Sequence, residues 1–525
     1  MTRPALSRPA GIVAAATMAA GLAGCTGNST AVSTTPAAGA SAAETAADML
    51  SSHWDTADGD VAQTIEIDLA AGSVTIDEPG AYRLSGTLLD GQVLVDTAKD
   101  GLVQLVLDGA DISSSTSSAI NVRSADEVAI ILAAGSANSV TDAAVYDEPD
   151  QEPDAAIFSK VDLSIAGEGS LTVTGRAGDA ITSKDGLVVA GGDVTITAAD
   201  DAVKGRDYVR LVGGRLTIKA GGDGVKSTNA DDPGAGYVLW EGGQAEVDAA
   251  TDCVQAATSI LMTAGQAVLT CGDDGMTADQ SLAVDGGQIE VLASYEGFEA
   301  PIVTIGGGEI SISASDDGIN AAAASDSTTQ TRPGGRMGGG MGGVQEGVAL
   351  TITGGEVLVK AGSDGIDANG PGTISGGRVI VYAPPSGGNG PLDIAESGPT
   401  IEGGELWAFG LGGAADGGMG GRMGGGINAP TAASTQSWAT VAFGSAVPAG
   451  EEIALTDAAG AVVAAVTVTE AVSVVLVSAA AIAQGAEYQL TAAGQTASAT
   501  AGAAGAGAGS GAGWDGARPG RRSRP

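Results

Sequence analysis

Two stretches, VRLVGGRLTIKA at 209–220 and LAVDGGQIEVLA at 282–293, share one layout: a short apolar run, a Gly pair, then strict alternation of polar and apolar residues. Alternation at period two describes a strand with one buried face, and the Gly pair describes a corner that needs positive φ. The pair recurs at Gly191 and Gly192, Gly213 and Gly214, Gly286 and Gly287, and Gly376 and Gly377, twelve and thirteen residues after an acidic position. Those acidic positions are Asp179, Asp201, Asp223, Asp252, Asp274, Glu296, Asp317 and Asp364, separated by 22, 22, 29, 22, 22, 21 and 47 residues. The underlying period is 22, with a seven-residue insertion near Asn229–Tyr237 and a longer one, rich in Gly and Met, from about 322 to 346. Short strands repeating at one period cannot each form a core, so they bury their apolar faces on one another as an all-β parallel β-helix of about 22 residues per coil. Inward columns follow: Leu216, Ile218 and Ala220 align with Ile289, Val291 and Ala293, and Cys271 falls beside Ala220 and Ala293.

Working outward, the domains read as follows. Residues 1–24 carry Arg3 and Arg8 and an apolar run from Ala10 to Ala23, the pattern of a cleaved export signal. The run ends in Leu22, Ala23, Gly24 and Cys25, resembling the lipobox of bacterial lipoproteins, so Cys25 is the expected lipidation site and a lipid anchor the expected link to the membrane. Residues 25–50 form a flexible tether, 51–430 the β-helix, 431–495 a small β cap over its open end, and 496–525 a disordered Ala/Gly tail with a basic end. That order implies an extracytoplasmic protein, lipid-anchored at the cell surface. In that oxidising setting Cys253 and Cys271, about one repeat apart, are expected to be bridged, although a small core thiol fits the column of Cys271 equally well.

Composition excludes several functions. The chain has 63 Asp and Glu against 23 Lys and Arg, a net charge of −40, which repels nucleic acid. Its one histidine, His53, removes Ser/His/Asp triads and histidine-rich zinc sites, so any metal is held by oxygen. Stacking puts equivalent residues about 4.8 Å apart, which makes the acidic column a ladder of like charge. Three residues on, the early coils supply Lys204 and Lys226, and the later ones Gln255, Thr277, Glu299, Asn320 and Asp367. The early half neutralises itself. The later half, with Asp273, Asp274, Glu296, Glu299, Asp316, Asp317, Asn320, Asp364 and Asp367, adds oxygen ligands where repulsion is already unfavourable, which suits Ca²⁺. The alternative is a solvated acidic edge without an ion.

A repeating face suits a repeating ligand. Tyr208, Tyr237 and Trp240, in or near the insertion, are candidate sugar platforms together with Lys204 and Lys226; Trp407 and Phe409 are weaker ones. Packing is the favoured role for all these aromatics, because such side chains are usually at least partly buried, and as sugar platforms they are weak candidates. Met337, Met341, Met419 and Met423, in the alike segments GGRMGGGMGG at 334–343 and GGMGGRMGGG at 417–426, read as surface-loop residues rather than a thioether metal site.

GAYRLSGTLLDGQVLVD at 80–96, GSANSVTD at 135–142, AIFSKVDLSIAGEGSL at 156–171, ADDAVKGRD at 199–207, GGDGVKSTNADD at 221–232 and QGAEYQL at 484–490 together resemble the bacterial extracellular carbohydrate-binding domain with a polysaccharide-lyase-like right-handed parallel β-helix. That resemblance implies calcium on the β-helix and binding of cellulose or acidic, pectin-like glycan. The expected function is thus non-catalytic polysaccharide binding by a monomer. A calcium-dependent lyase ranks second, with Lys204, Arg206 and Lys226 beside Asp201 and Asp223 as its only basic cluster, and a protein-binding adhesin third.

Overall fold

The structure is a computed structural model and describes residues 64–146, 152–323, 344–384, 389–395, 398–411 and 427–502. The leader, Cys25, the tether and both Gly/Met segments lie outside these residues. The described chain is all-β with mostly parallel sheets, and its only helical element is a single 3-10 turn at Leu69–Ala71.

Through the repeat region each strand pairs in parallel with the third strand after it. Val203–Gly205 pairs with Val225–Ser227, Tyr208–Leu211 with Tyr237–Trp240, and Arg215–Ala220 with Gln244–Ala249. The chain therefore runs through three ladders in turn, called here short, middle and long, and three strands make one rung. The sequence expects only two of these strands. The third, the short strand after the acidic position, has three residues with the first and third buried, too few to show alternation.

Buried residues of the long ladder occupy every second position: Leu216, Ile218 and Ala220 stack on Ala245, Val247 and Ala249, and these on Ala267, Leu269 and Cys271. The column then breaks. The register shifts after Leu269, Ala293 pairs with Thr270 and is exposed, and Ser294 takes the buried position instead. The expected inward place of Ala293 is thus corrected: a β-bulge adds one residue, so every side chain after it changes face. Cys271 is bonded to Cys253, with Cα atoms 5.4 Å apart, inside the core that the rungs share.

The Gly corners join the middle ladder to the long one. The second residue of each pair takes positive φ, as at Gly214 (+83°) and Gly287 (+90°). A Cβ on Gly214 would meet the backbone of Gly191 and Gly192 in the preceding rung at 2.7–3.0 Å, so glycine is required by conformation and by space.

After Glu405–Leu411 the parallel order stops. Val472–Ser478 pairs with that strand antiparallel, and Trp438–Val447 pairs antiparallel on the other side. A four-stranded antiparallel sheet follows, from Glu452–Asp457 to Gln495–Thr500. The cap thus runs past residue 495. Residues 495–500, placed largely in the tail by composition, form its last strand because Glu487–Ala492 supplies a full antiparallel partner. Tyr382, Trp407 and Phe409 stack under the cap and are buried there, so Trp407 and Phe409 offer no open platform.

Candidate metal centre and carbohydrate surface

The acidic residue before each short strand bonds the next rung. Asp179 Oδ1 accepts the Asp201 amide at 3.1 Å, Asp201 Oδ1 the Asp223 amide at 2.9 Å, Asp223 Oδ1 the Asp252 amide at 3.0 Å, and Asp252 Oδ1 the Asp274 amide at 2.9 Å. Asp274 Oδ1 does the same for Glu296 at 3.1 Å and Asp317 Oδ1 for Asp364 at 2.8 Å. One oxygen of each carboxylate therefore has a structural role, satisfying a backbone donor that the corner would otherwise bury. In Asp179, Asp201 and Asp223 the other oxygen meets the middle residues of the short strands, a column that runs Thr182, Lys204, Lys226, Gln255, Thr277, Glu299, Asn320, Asp367 and Asp393.

In the early rungs that column neutralises the ladder. Lys204 Nζ lies 2.8 Å from Asp201 Oδ2 and 3.3 Å from Asp179 Oδ2; Lys226 Nζ bonds Asp223 Oδ2 at 2.5 Å and lies 3.5 Å from Asp201 Oδ2. Burial works to raise the Asp201 carboxyl, but the Lys204 bond, the Asp223 amide and both lysine charges hold it below its ordinary value. Burial likewise works to lower Lys204, and Asp179 and Asp201 outweigh it, so this ammonium stays protonated. Asp179, Asp200 and Asp201 approach within 4.8 Å of one another, with Lys204 already bonded to two of them.

After Lys226 the column holds no further lysine. Oxygens of Asp274, Glu296 and Glu299 lie within 4.8 Å of one another. Glu296 carries one more methylene than its Asp neighbours, and its Oε2 accepts from Asn320 Nδ2 at 2.9 Å. Asn320 is only 9% exposed, and its Oδ1 is buried with no hydrogen-bond partner, as is Gln255 Oε1 in the same column. Burial first, then Asp252, Glu296 and Glu299, pushes Asp274 up to about 8. Burial, then Glu299 and Asp317, pushes Glu296 up to about 7 against the opposing Asn320 bond. Converging hard oxygens and orphaned amide oxygens fit the donor set of Ca²⁺.

Of the residues expected to hold metal, this cluster gathers Asp274 and Glu296, with Glu299, and has Asn320 at its edge. Asp317, Asp364 and Asp367 lie further along the stack beside Asp393, where burial and mutual repulsion push Asp364 up to about 7 and Asp367 to about 8. Asp273 is exposed, with its carbonyl accepting the Tyr295 amide, and the Asp316 amide in turn donates to the Tyr295 carbonyl at 2.9 Å. Sequence reasoning missed Asp393 because the spacing there departs from 22, and Tyr295, 49% exposed, because only the bulge before it shows which face it takes.

The expected sugar platforms need correction. Trp240 is 1% exposed and Tyr237 4%, for Trp240 occupies the inward column of Leu211 and Met262. Tyr208 stacks on Tyr237 with centroids 5.5 Å apart and donates to Asp162 Oδ1 at 3.1 Å. Lys204 and Lys226 are tied into the acidic ladder, so none of the five presents a free face for sugar.

Residues 70–326 match the family model described as carbohydrate-binding domain-containing protein. A carbohydrate-binding domain-containing protein of Acetivibrio thermocellus is 48% identical over 182 residues, 34% of this chain; the chain spans 64% of that relative's length. A solved polysaccharide lyase-like protein from C. thermocellum, determined as a gadolinium derivative, is 33% identical, covering 42% of this chain and 96% of its own, with a TM-score of 0.41. No helix among the described residues is long and apolar enough to cross a membrane.

Proposed function

We propose that this chain is a cell-surface lipoprotein, acylated at Cys25, whose repeat region is a right-handed parallel β-helix that binds polysaccharide without cleaving it, with Ca²⁺ on its acidic corner. The binding class is supported by the carbohydrate-binding-domain match over residues 70–326. The metal is supported by the convergence of Asp274, Glu296 and Glu299 beside the unpartnered Asn320 Oδ1. When bound there, Ca²⁺ supplies the charge that lets an acidic glycan approach a chain of net charge −40. The chain's own residues hold the cation and keep the corner in register. The lyase alternative needs an unprotonated base, and Lys204 and Lys226 are both raised by the carboxylates they pair with, against burial.

The test is retention of the purified chain on insoluble polygalacturonate and cellulose, with calcium and with chelator, while the supernatant is assayed for unsaturated uronate ends. Calcium-dependent retention on the acidic polymer without product is the expected result. Product would make the protein a lyase. Absence of retention on both polymers would remove the carbohydrate reading and leave the adhesin.

A further inference from the structure

The other end of the long strands carries a second repeating surface. The first residues of successive long strands, Arg215, Gln244, Gln266, Gln288 and Glu309, are in register. Their side chains form hydrogen bonds along the stack: Arg215 to Gln244, Gln266 Nε2 to Gln288 Oε1 at 3.0 Å, and Gln288 Nε2 to Glu309 Oε2 at 3.2 Å. Beside them lies an open cavity of about 520 Å³, lined by Gly214, Gly243, Gln244, Gly265, Gln266 and Gln288. On the sheet side of the same glutamines is a second cavity of about 400 Å³, to which Val268, Glu290 and Ser311 also contribute.

We infer that this amide-lined groove is a metal-independent binding site for an uncharged polysaccharide strand. The proposal rests on the carbohydrate-binding reading and assigns the uncharged ligand a place of its own, away from the acidic corner. Three features carry it. No group lining the larger cavity is charged, although the chain as a whole bears −40; an anionic polymer would enter this region against the molecule's field, and a neutral one would not.

A primary amide carries two N–H donors and an oxygen with two lone pairs, so a Gln that gives one N–H to its neighbour keeps a second for a ligand hydroxyl. Hydroxyls both donate and accept, which matches an amide better than a carboxylate, an acceptor only. The chain of bonds ends on the Glu309 carboxylate, which polarises the amides toward donation.

The third feature is repetition. The amides recur at the rung spacing of about 4.8 Å, close to the advance of one unit in an extended sugar chain, so successive rungs meet successive units. Gly214, Gly243 and Gly265 form one wall of the cavity, so a flat ring laid there meets backbone with no side chain between. The groove and the Asp274 cluster lie at opposite ends of the long strands, about 20 Å apart for a six-residue strand, so one ligand class does not displace the other.

The test is calorimetric titration of the full chain with cellohexaose in the presence of chelator, and with trigalacturonate in calcium. Four proteins are compared: native, Gln266→Ala with Gln288→Ala, Gln266→Glu with Gln288→Glu, and Asp274→Asn with Glu299→Gln. The glutamines are exposed, so the alanine pair is expected to melt as the native chain does, whereas the glutamate pair stacks two carboxylates in register with Glu309 and is expected to melt lower but cooperatively. The expected result is cellohexaose binding in chelator, weakened about tenfold by the alanine pair, as for two neutral hydrogen-bonding groups, abolished by the glutamate pair and unchanged in the Asp274/Glu299 variant. Equal affinity in native and Gln variants overturns the inference. So does failure of cellohexaose to bind while trigalacturonate binds with calcium, a result that leaves the proposed function standing. Failure of both sugars removes both.

Discussion

Replacing Asp274 by Asn tests the metal corner, because the substitution is expected to stabilise the chelated chain and abolish its response to calcium. In the folded chain the Asp274 carboxyl is pushed from 3.8 to about 8, by burial and then by Asp252, Glu296 and Glu299. The unfolded chain ionises first as pH rises, so between about 4 and 8 it holds fewer protons than the folded chain, and stability falls through that window. Each pKa unit is worth about 1.4 kcal/mol. Sharing of the repulsion with Glu296 and Glu299, and screening at the open side of the cluster, reduce the single-site effect to about 2 kcal/mol at pH 8.

Asn keeps the shape and removes that cost, so in chelator at pH 8 the variant should unfold at higher urea than the native chain. Calcium reverses the preference, since it selects the ionised carboxylates: at a hundredfold excess over its Kd it stabilises the native chain by about 2.7 kcal/mol. Most of that gain should vanish in the variant. The assay is the urea midpoint from pH 5 to 9, with calcium and with chelator. A chelated native chain that grows more stable toward pH 9, or an Asp274→Asn chain that is weaker than native in chelator, refutes the reasoning.

Removing the Cys253–Cys271 bond with a double alanine variant opens a loop of sequence separation 18 and should lower stability by about 3 kcal/mol, read as the urea midpoint against the oxidised parent. Lys226→Ala leaves Asp223 and Asp201 without one of their cations and should cost about 2–3 kcal/mol near neutral pH. Because the lysines hold Asp201 below its ordinary value, that deficit is full above the carboxylate range and shrinks as pH falls through it, which a pH series of melting temperatures will show. Trp240→Phe should destabilise the chain yet leave polysaccharide retention unchanged, the indole being 1% exposed; loss of retention by a folded variant would make it a sugar platform after all.

How far the fold could be read from sequence depended on how many residues carried each signal. The period and the Gly corners recur throughout the repeat, and positive φ at Gly192, Gly214, Gly287 and Gly377 follows from them. The bulge near Ala293 occurs within one strand, in a segment whose alternation looks regular, and nothing in QIEVLAS marks the extra residue. Tyr237 and Trp240 stand beside an insertion, where a sugar platform competes with packing, and comparing columns, Trp240 with Leu211 and Met262, places the indole inside. The acidic corner was legible as a column. Its convergence on three carboxylates was not, because that depends on where Glu296, one methylene longer, turns its oxygens.

The antiparallel strand Val472–Ser478 sets a boundary to the parallel stack. A parallel stack offers each new layer the same template as the last, and nothing within the repeat sets a final layer. Two such chains meeting end to end could continue one another indefinitely, and the product would be a filament whose length depends on concentration. A strand of reversed polarity, backed by its own folded sheet, ends that template. The number of layers at that end is then set by the sequence itself, and the last parallel strand offers no free edge for another parallel layer.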